Sequence, residues 1–96
     1  AGRGGGRPVR MKIAFDPGKD ASNREKHGLS LARAAAIDLR NAVVLADDRQ
    51  DYGEPRWRAY GMMDGRLHML AFTFRDGTLR AISLRRANAK ETRRYG

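Results

Sequence analysis

Two Asp-Gly steps divide the second half of the chain and constrain its fold more than any other feature. Asp64-Gly65 and Asp76-Gly77 each lie between strand-like segments, and this dipeptide is typical of the tight turn of a β-hairpin. The segments that they join are Arg56 to Met63, Arg66 to Phe74 and Thr78 to Leu84. We therefore predict an antiparallel meander of at least three strands. Leu67 to Phe74 is apolar on both faces, so we place it at the centre of the sheet.

The remaining helix and strand signals complete an α+β fold. Asp16-Pro17 places an N-cap before a proline at the first helical position, and His27-Gly28 matches a helix end. Ser30 caps a second helix that we expect to end at Asn41. Further elements are predicted as strands over Lys12–Phe15 and Ala42–Ala46 and a helix over Asn88–Tyr95. The prediction is two N-terminal helices packed on an antiparallel sheet of about four strands, with a short C-terminal helix.

Length and the absence of cysteine set further limits. Ninety-six residues are enough for one domain, which we place at residues 11–96 with Met11 as the natural start. Residues 1–10 hold Gly and Arg but little to bury, and we interpret them as a disordered arm or an expression remnant. The lack of cysteine excludes a disulfide scaffold, a thiolate zinc site and cysteine catalysis. We expect no metal, no other cofactor, no membrane span and a cytoplasmic location.

The chain is strongly basic, with 20 Lys and Arg against 11 Asp and Glu and a net charge of +9. Sixteen of these cations are Arg, whose planar guanidinium binds phosphate through two parallel hydrogen bonds. This balance favours RNA or DNA as a partner. An Arg-rich composition also follows from the codon usage of a GC-rich genome, so the charge alone assigns no specific function.

Positive charge is densest near the C-terminus, where strand alternation sorts it onto two faces. Alternation along residues 78–86 places on one side of the strand Arg80, Ile82, Leu84 and Arg86. It places on the other side Leu79, Ala81, Ser83 and Arg85. Arg75, at the hairpin end, is expected to approach Ser83 and Arg85. A face of this kind can bind a phosphodiester backbone, or it can be the solvated edge that protects a strand from aggregation.

Several other side chains have both a chemical and a structural interpretation. His27 could transfer protons, or it could interact with the dipole at the end of its helix. Glu54 could be a general base or the ion-pair partner of neighbouring arginines such as Arg56. Tyr95 could stack on a base or anchor the last helix. Trp57 is expected in the core or at its rim.

Short motifs along the chain share their order and spacing with one protein family. The motifs are Phe15-Asp16-Pro17, Lys26-His27-Gly28, Leu29-Ser30-Leu31, Asp51-Tyr52-Gly53-Glu54 with Arg56, Phe72-Thr73-Phe74-Arg75, and Ile82-Ser83-Leu84-Arg85-Arg86-Ala87. Together they resemble the BrnT toxins over Met11 to Tyr95. Each motif is weak alone, and their combined order makes the resemblance specific.

This resemblance implies a RelE-like fold and a bacterial type II toxin that acts as a ribonuclease and inhibits translation. It also implies a DNA-binding antitoxin, BrnA, as the partner in a toxin–antitoxin hetero-oligomer. The implied reaction needs no metal, because a ribose 2′-hydroxyl attacks the adjacent phosphate while cations stabilise the developing charge. On this basis we expect catalytic roles for His27, Arg75, Arg85 and Glu54. The residues expected to bind RNA are Lys26, Arg56, Arg80, Ser83, Arg86 and Tyr95.

Two other functions fit the same residues. A non-catalytic nucleic-acid-binding module would use the basic face for salt-dependent affinity and leave RNA intact. A small interaction domain would use that face only to bind an acidic antitoxin, and its affinity for RNA would be negligible.

Overall fold

Five strands, two α-helices and one 3₁₀ helix make up the computed structural model, which describes residues 12–96. In chain order they are β1 (Ile13–Ala14), α1 (Pro17–His27), the 3₁₀ helix (Leu31–Ala36), β2 (Val43–Ala46), β3 (Trp57–Met63), β4 (Arg66–Arg75), β5 (Thr78–Arg86) and α2 (Ala89–Tyr95). The predicted arm over residues 1–10 and the start at Met11 lie outside the described residues. None of the described helices is long and apolar enough to cross a membrane.

The predicted meander forms around the two Asp-Gly turns. Asp64 and Gly65 have φ of 54° and 75°, and Asp76 and Gly77 have φ of 53° and 76°. Two successive positive φ angles twist the turn in the direction that antiparallel strands require. The strand order in the sheet is β1-β5-β4-β3-β2, so β4 occupies the central position that its apolar composition predicts.

The sheet differs from the prediction in strand number and in one strand direction. Over residues 12–96 it has five strands rather than about four, and β1 lies parallel to β5 through the pairs Ile13↔Leu79 and Ala14↔Arg80. The other neighbouring strands are antiparallel. A two-residue strand such as β1 has no hydrophobic period of its own, and only its neighbour in space gives it a direction.

The second helix is a short 3₁₀ helix rather than an α-helix reaching Asn41. Ser30 caps it as predicted, with its hydroxyl accepting from the Ala32 N–H at 3.1 Å. The helix ends because Ile37 adopts an extended conformation and is buried in the core. Ile37 packs beside Gly61, where a Cβ atom would lie 2.8 Å from the Asp38 carbonyl oxygen. This close approach requires glycine at position 61 of β3.

The main core lies between the two N-terminal helices and one face of the sheet, which we call the helix face. It is built from the fully buried Leu31, Leu70, Leu79 and Leu84 together with Ala34, Ile37, Ala59, Met63, Phe72 and Ala81. Trp57 is partly buried against this core and stacks on Phe72 with ring centroids 6.1 Å apart. The expectation that Trp57 is a core or rim residue is therefore confirmed.

A buried amide joins α1 to the outer edge of β5. Asn23 is 4% exposed, and its Oδ1 accepts from the Leu84 N–H at 3.0 Å while its Nδ2 donates to the Leu84 carbonyl at 2.8 Å. Nδ2 also donates to the Leu29 carbonyl at 2.8 Å. The side chain thus binds β5 as the backbone of a neighbouring strand would.

Substituting Asn23 with Ala should destabilise the protein strongly, because the backbone N–H and C=O of buried Leu84 both lose their partner. We expect a loss of about 3 kcal/mol in the free energy of unfolding, measured by urea denaturation. Ser22→Ala, at the neighbouring exposed position, is the matched control and should change stability by less than about 0.5 kcal/mol. Equal effects of the two substitutions would contradict the role assigned to Asn23.

Candidate nucleic-acid interface

The face of the sheet opposite the helix face carries most of the candidate residues, and we call it the open face. Strand pairing places on it Arg58 and Tyr60 of β3, Met69, Ala71, Thr73 and Arg75 of β4, and Arg80, Ser83 and Arg85 of β5. Helix α2 packs on one end of this face, where Tyr95 stacks on Tyr60 with ring centroids 4.3 Å apart. The structural interpretation of Tyr95, as the anchor of the last helix, matches this contact.

A β-bulge in β5 changes the alternation predicted for that strand. Ala71 pairs with Ser83 while its neighbour Phe72 pairs with Ala81, so Ile82 is an extra residue without a partner. An extra residue reverses which face the following side chains occupy. The predicted sides are therefore confirmed for Ser83 and Arg85, which share a face, and wrong for residues on opposite sides of the bulge, since alternation cannot hold through it.

The bulge brings together residues that simple alternation separates. Arg80 lies on the open face opposite Thr73, in company with Ser83 and Arg85, whereas Arg86 is paired with His68 on the helix-face side. The expectation that Arg80 and Arg86 share a side is corrected. Arg86 does not belong to the same surface as Arg85.

Arg85 is held by a carboxylate from α2. Its Nη1 and Nη2 donate to Oε1 and Oε2 of Glu91 at 2.7 and 2.9 Å, and the Tyr60 hydroxyl donates to Oε2 at 3.0 Å. The hydrogen bonds from Arg85 are the main cause that lowers the pKa of Glu91 to about 2. The same pair raises the pKa of Arg85, and burial first and Glu91 second raise the pKa of Tyr60. Arg85, a predicted site residue, is therefore ion-paired in this structure.

Arg58 is a residue that our sequence reasoning missed. It lies on the open face between Leu45 and Ala71, and its Nη1 donates to the Tyr60 hydroxyl at 3.2 Å. Its Nε is buried and finds no hydrogen-bond partner among the described residues. Alternation along β3 was the available signal, because Arg56, Arg58 and Tyr60 fall on one side of that strand.

A second charged cluster lies at the other end of the open face. Glu54 accepts from Arg56 Nε at 3.4 Å and from Arg75 Nη2 at 3.3 Å, and the Arg56 guanidinium lies over the Tyr52 ring at 4.1 Å. This geometry matches the ion-pair interpretation of Glu54. A role as general base stays a prediction.

The sequence predicts that Arg75 approaches Ser83 and Arg85. In the structure it does not. It pairs with Thr78 at the turn, whereas Arg85 pairs with Met69, six residues earlier in β4. At about 3.3 Å per residue, the two arginines are anchored roughly 20 Å apart along the sheet. They lie on the same face but at opposite ends of it.

Lys26 and His27 lie at the exposed end of α1, which Gly28 terminates in a left-handed conformation. Within residues 12–96, neither side chain forms a hydrogen bond or ion pair with the arginines of the open face. The other histidine, His68, is buried, and its Nδ1 lies 2.9 Å from the Arg66 carbonyl. Within the described residues, His27 therefore takes part in no hydrogen bond or ion pair of either charged cluster.

The loop over residues 47–56, between β2 and β3, contains an ion pair that the sequence did not reveal. Asp47 is buried and accepts from Arg49 Nε and Nη2 at 2.7 and 2.8 Å, with a further bond from the Tyr52 hydroxyl at 3.2 Å. Arg49 is the main cause that lowers the pKa of Asp47 to about 2. The charge of Arg49 opposes the raised pKa of Arg85, since the two positive charges repel.

The open face combines many cations with few carboxylates. With Arg56, which precedes β3, it carries five arginines, and the carboxylates paired with them are Glu54 and Glu91. In the described part of the chain, no group of three or more His, Cys, Asp or Glu is placed to hold a metal ion. The arrangement suits a ligand with several negative charges along its length, such as a phosphodiester backbone.

Comparisons with known proteins agree on one family. A family model described as the ribonuclease toxin BrnT of type II toxin–antitoxin systems matches residues 15–91. The crystal structure of the Brucella abortus ribonuclease toxin BrnT is similar, with 28% sequence identity and a TM-score of 0.66. That alignment covers 81% of this chain and 97% of the Brucella chain. Among curated protein sequences, no match was found.

Of the carboxylates whose pKa values are lowered, Glu91 and Asp47 are shifted most and should make stability depend on acid. Glu91 and Asp47 both titrate near 2 in the folded protein, below their ordinary values of 4.5 and 3.8. The unfolded chain then binds more protons in this interval, so stability is full above about pH 5 and is lost as the pH falls towards 2. We expect a loss of roughly 3 kcal/mol, with the Asp47 share reduced by water around the half-exposed Arg49.

Urea denaturation of the wild type and Glu91→Gln between pH 7 and pH 2 measures this loss. Gln cannot gain a proton, so the variant should lose less stability than the wild type over the same interval. Parallel curves for the two proteins would show that Glu91 does not contribute.

Proposed function

Because the chain belongs to the BrnT family of ribonuclease toxins of type II toxin–antitoxin systems, we propose that it is a metal-independent endoribonuclease that binds RNA on the open face. In the proposed reaction, a ribose 2′-hydroxyl attacks the adjacent phosphorus and loses its proton to a base. The bond from phosphorus to the 5′ oxygen breaks, and that oxygen takes up a proton. The products are a 2′,3′-cyclic phosphate and a 5′-hydroxyl end.

One observation carries this proposal, namely the concentration of guanidinium groups on a single sheet face. Arg56, Arg58, Arg75, Arg80 and Arg85 share the open face, which the bulge in β5 makes continuous. Guanidinium groups stabilise the extra negative charge that develops on a phosphate during attack, and this stabilisation needs no cofactor. The same face explains affinity for RNA through its phosphates.

We assign roles to the candidate residues according to their positions. Arg85 and Arg75 contact phosphates at the two ends of the face, and His27 and Glu54 are the candidates for proton transfer. The RNA-binding set is Lys26, Arg56, Arg80, Ser83 and Tyr95. Arg86 is left out of this set because it pairs with His68 on the helix-face side.

The partner of a type II toxin is its antitoxin, and we propose a BrnA-like, DNA-binding protein that forms a hetero-oligomer with this chain. The net charge of +9 favours an acidic binding segment in such a partner. RNA cleavage by the unbound toxin would lower translation in the cell.

Cleavage of a purified RNA with and without EDTA tests the proposed activity. The wild type should produce 5′-hydroxyl ends at the same rate in both conditions. Arg85→Ala and Arg75→Ala should each lower the cleavage rate by roughly 100-fold, because a donor to the developing charge is lost. Arg66→Ala, at an exposed position on the helix-face side of β4, is the matched control and should cleave normally.

Induced expression in a bacterial host provides the cellular counterpart, with growth and total RNA followed together. Growth arrest with RNA loss is expected for the wild type and for Arg66→Ala only. RNA that is bound but stays intact would instead identify a non-catalytic nucleic-acid-binding module. Inhibition of cleavage by EDTA would overturn the metal-independent mechanism.

A further inference from the structure

We infer that Arg58, Tyr60 and Arg85 form a binding site for one phosphate of the RNA backbone, and that the Glu91 carboxylate occupies this site until RNA displaces it. The inference deepens the proposed function and rests on it, since it names the residues that receive the substrate and the group that competes with it. We call Arg58, Tyr60 and Arg85 the anion site.

The first argument is the incomplete set of partners around Arg58. In the described part of the chain, Arg56 and Arg75 pair with Glu54 and Arg85 pairs with Glu91, whereas no carboxylate lies within ion-pair distance of Arg58. Its Nε is buried with no hydrogen-bond partner. A buried donor of a charged group is costly to leave unpaired. The position of Arg58 is therefore explained best by an anion that arrives from outside the chain.

The second argument is the set of donors that converge on Glu91. Its two carboxylate oxygens accept four hydrogen bonds, two from Arg85, one from the Tyr60 hydroxyl and one from the Asn88 N–H. Arginine binds carboxylate and phosphate with the same forked geometry. The carboxylate thus marks the place where a phosphate oxygen would sit on Arg85 and Tyr60.

Tyr60 connects the two arginines into one site. Its hydroxyl donates to Glu91 at 3.0 Å and accepts from Arg58 Nη1 at 3.2 Å. Arg58, on β3, therefore bonds to the hydroxyl, and Arg85, two strands away on β5, bonds to the carboxylate that this hydroxyl contacts. A phosphate in place of the carboxylate would gain the charge of Arg58, which Glu91 does not engage directly.

The element that carries Glu91 is small enough to be displaced. Helix α2 has seven residues and contains no buried residue, and the Tyr95–Tyr60 stack and the Glu91 contacts attach it to the open face. Glu91 is also the N3 residue of the capping box of α2, so the same carboxylate serves the helix and the site. Its negative charge competes with RNA for Arg85 and lowers the affinity for RNA.

Binding of an RNA that cannot be cleaved tests the anion site separately from catalysis. The probe is a fluorescent 2′-O-methyl RNA oligonucleotide, and its Kd is measured by anisotropy over a series of salt concentrations with the full chain. Arg58→Met should weaken binding about tenfold and reduce the salt slope by about one. Arg58→Lys, which keeps the charge but loses Nε, should give a smaller loss. Arg66→Met, on the helix-face side, should bind as the wild type does.

Glu91→Gln provides the opposite change, because it removes the competing charge while its amide oxygen can still accept from the Asn88 N–H. We expect binding about tenfold tighter than the wild type, the size of one charge-assisted hydrogen-bonded pair. Asp76→Asn removes the same charge at the exposed turn between β4 and β5 and should change Kd much less. Circular dichroism of each variant establishes that α2 and the sheet are retained.

Several outcomes would overturn the anion site. These are equal Kd values for Arg58→Met and Arg66→Met, equal effects of Glu91→Gln and Asp76→Asn, or binding of inorganic phosphate at Tyr60 without any effect of Arg58→Met on RNA affinity. The proposed activity fails separately. If the variants show these affinity shifts but the wild type does not cleave natural RNA, the anion site stands and the ribonuclease assignment fails. If the wild type cleaves RNA but Arg58→Met binds RNA as tightly as the wild type does, the ribonuclease assignment stands and the anion site fails.

Discussion

The side-chain amide of Asn23 completes the edge of the sheet at the point where, among residues 12–96, no strand lies beside β5 on that side. The two residues of β1 pair with Leu79 and Arg80, and beyond them the N–H and C=O of Leu84 bond to Asn23 instead. A buried backbone group without a partner is costly, so this contact fixes where α1 lies against β5. The third bond, to the Leu29 carbonyl, positions the segment that leads into the 3₁₀ helix.

The charged face of the protein follows from the course of β5. The bulge at Ile82 lies between a half of the strand paired to β1 and a half bound by Asn23. Leu79 and Leu84 are both fully buried on the helix face, and their odd spacing is compatible with a strand only if one residue is extra. The same extra residue puts Arg80 and Arg85 together on the opposite face. The bulge therefore allows both leucines to be buried and also brings Arg80 and Arg85 onto the same face.

The carboxylates on this face are distributed unevenly, and that distribution gives the surface its chemical character. At one end, Glu54 pairs with both Arg56 and Arg75, whereas Glu91 comes from a separate helix and pairs with Arg85 at the other end. Between these ends, Arg58 has no carboxylate within ion-pair distance in the described part of the chain, so positive charge exceeds negative charge there. A polyanion binding along the strands would meet guanidinium groups over most of the length of the face.

By itself, the sequence determined the features that depend on neighbours in the chain: the two Asp-Gly hairpins, the Asp16 and Ser30 caps, the stop at Gly28, and the motifs that resemble one toxin family. Positive φ, side-chain caps and strand period act over a few residues, so local patterns reveal them. The tertiary structure alone decided the direction of β1, the early end of the 3₁₀ helix beside Gly61, the bulge, and the grouping of Arg58 with Arg85. These depend on burial and hydrogen bonding between segments distant in sequence, such as Asn23 and Leu84, and no local pattern encodes which distant groups will meet.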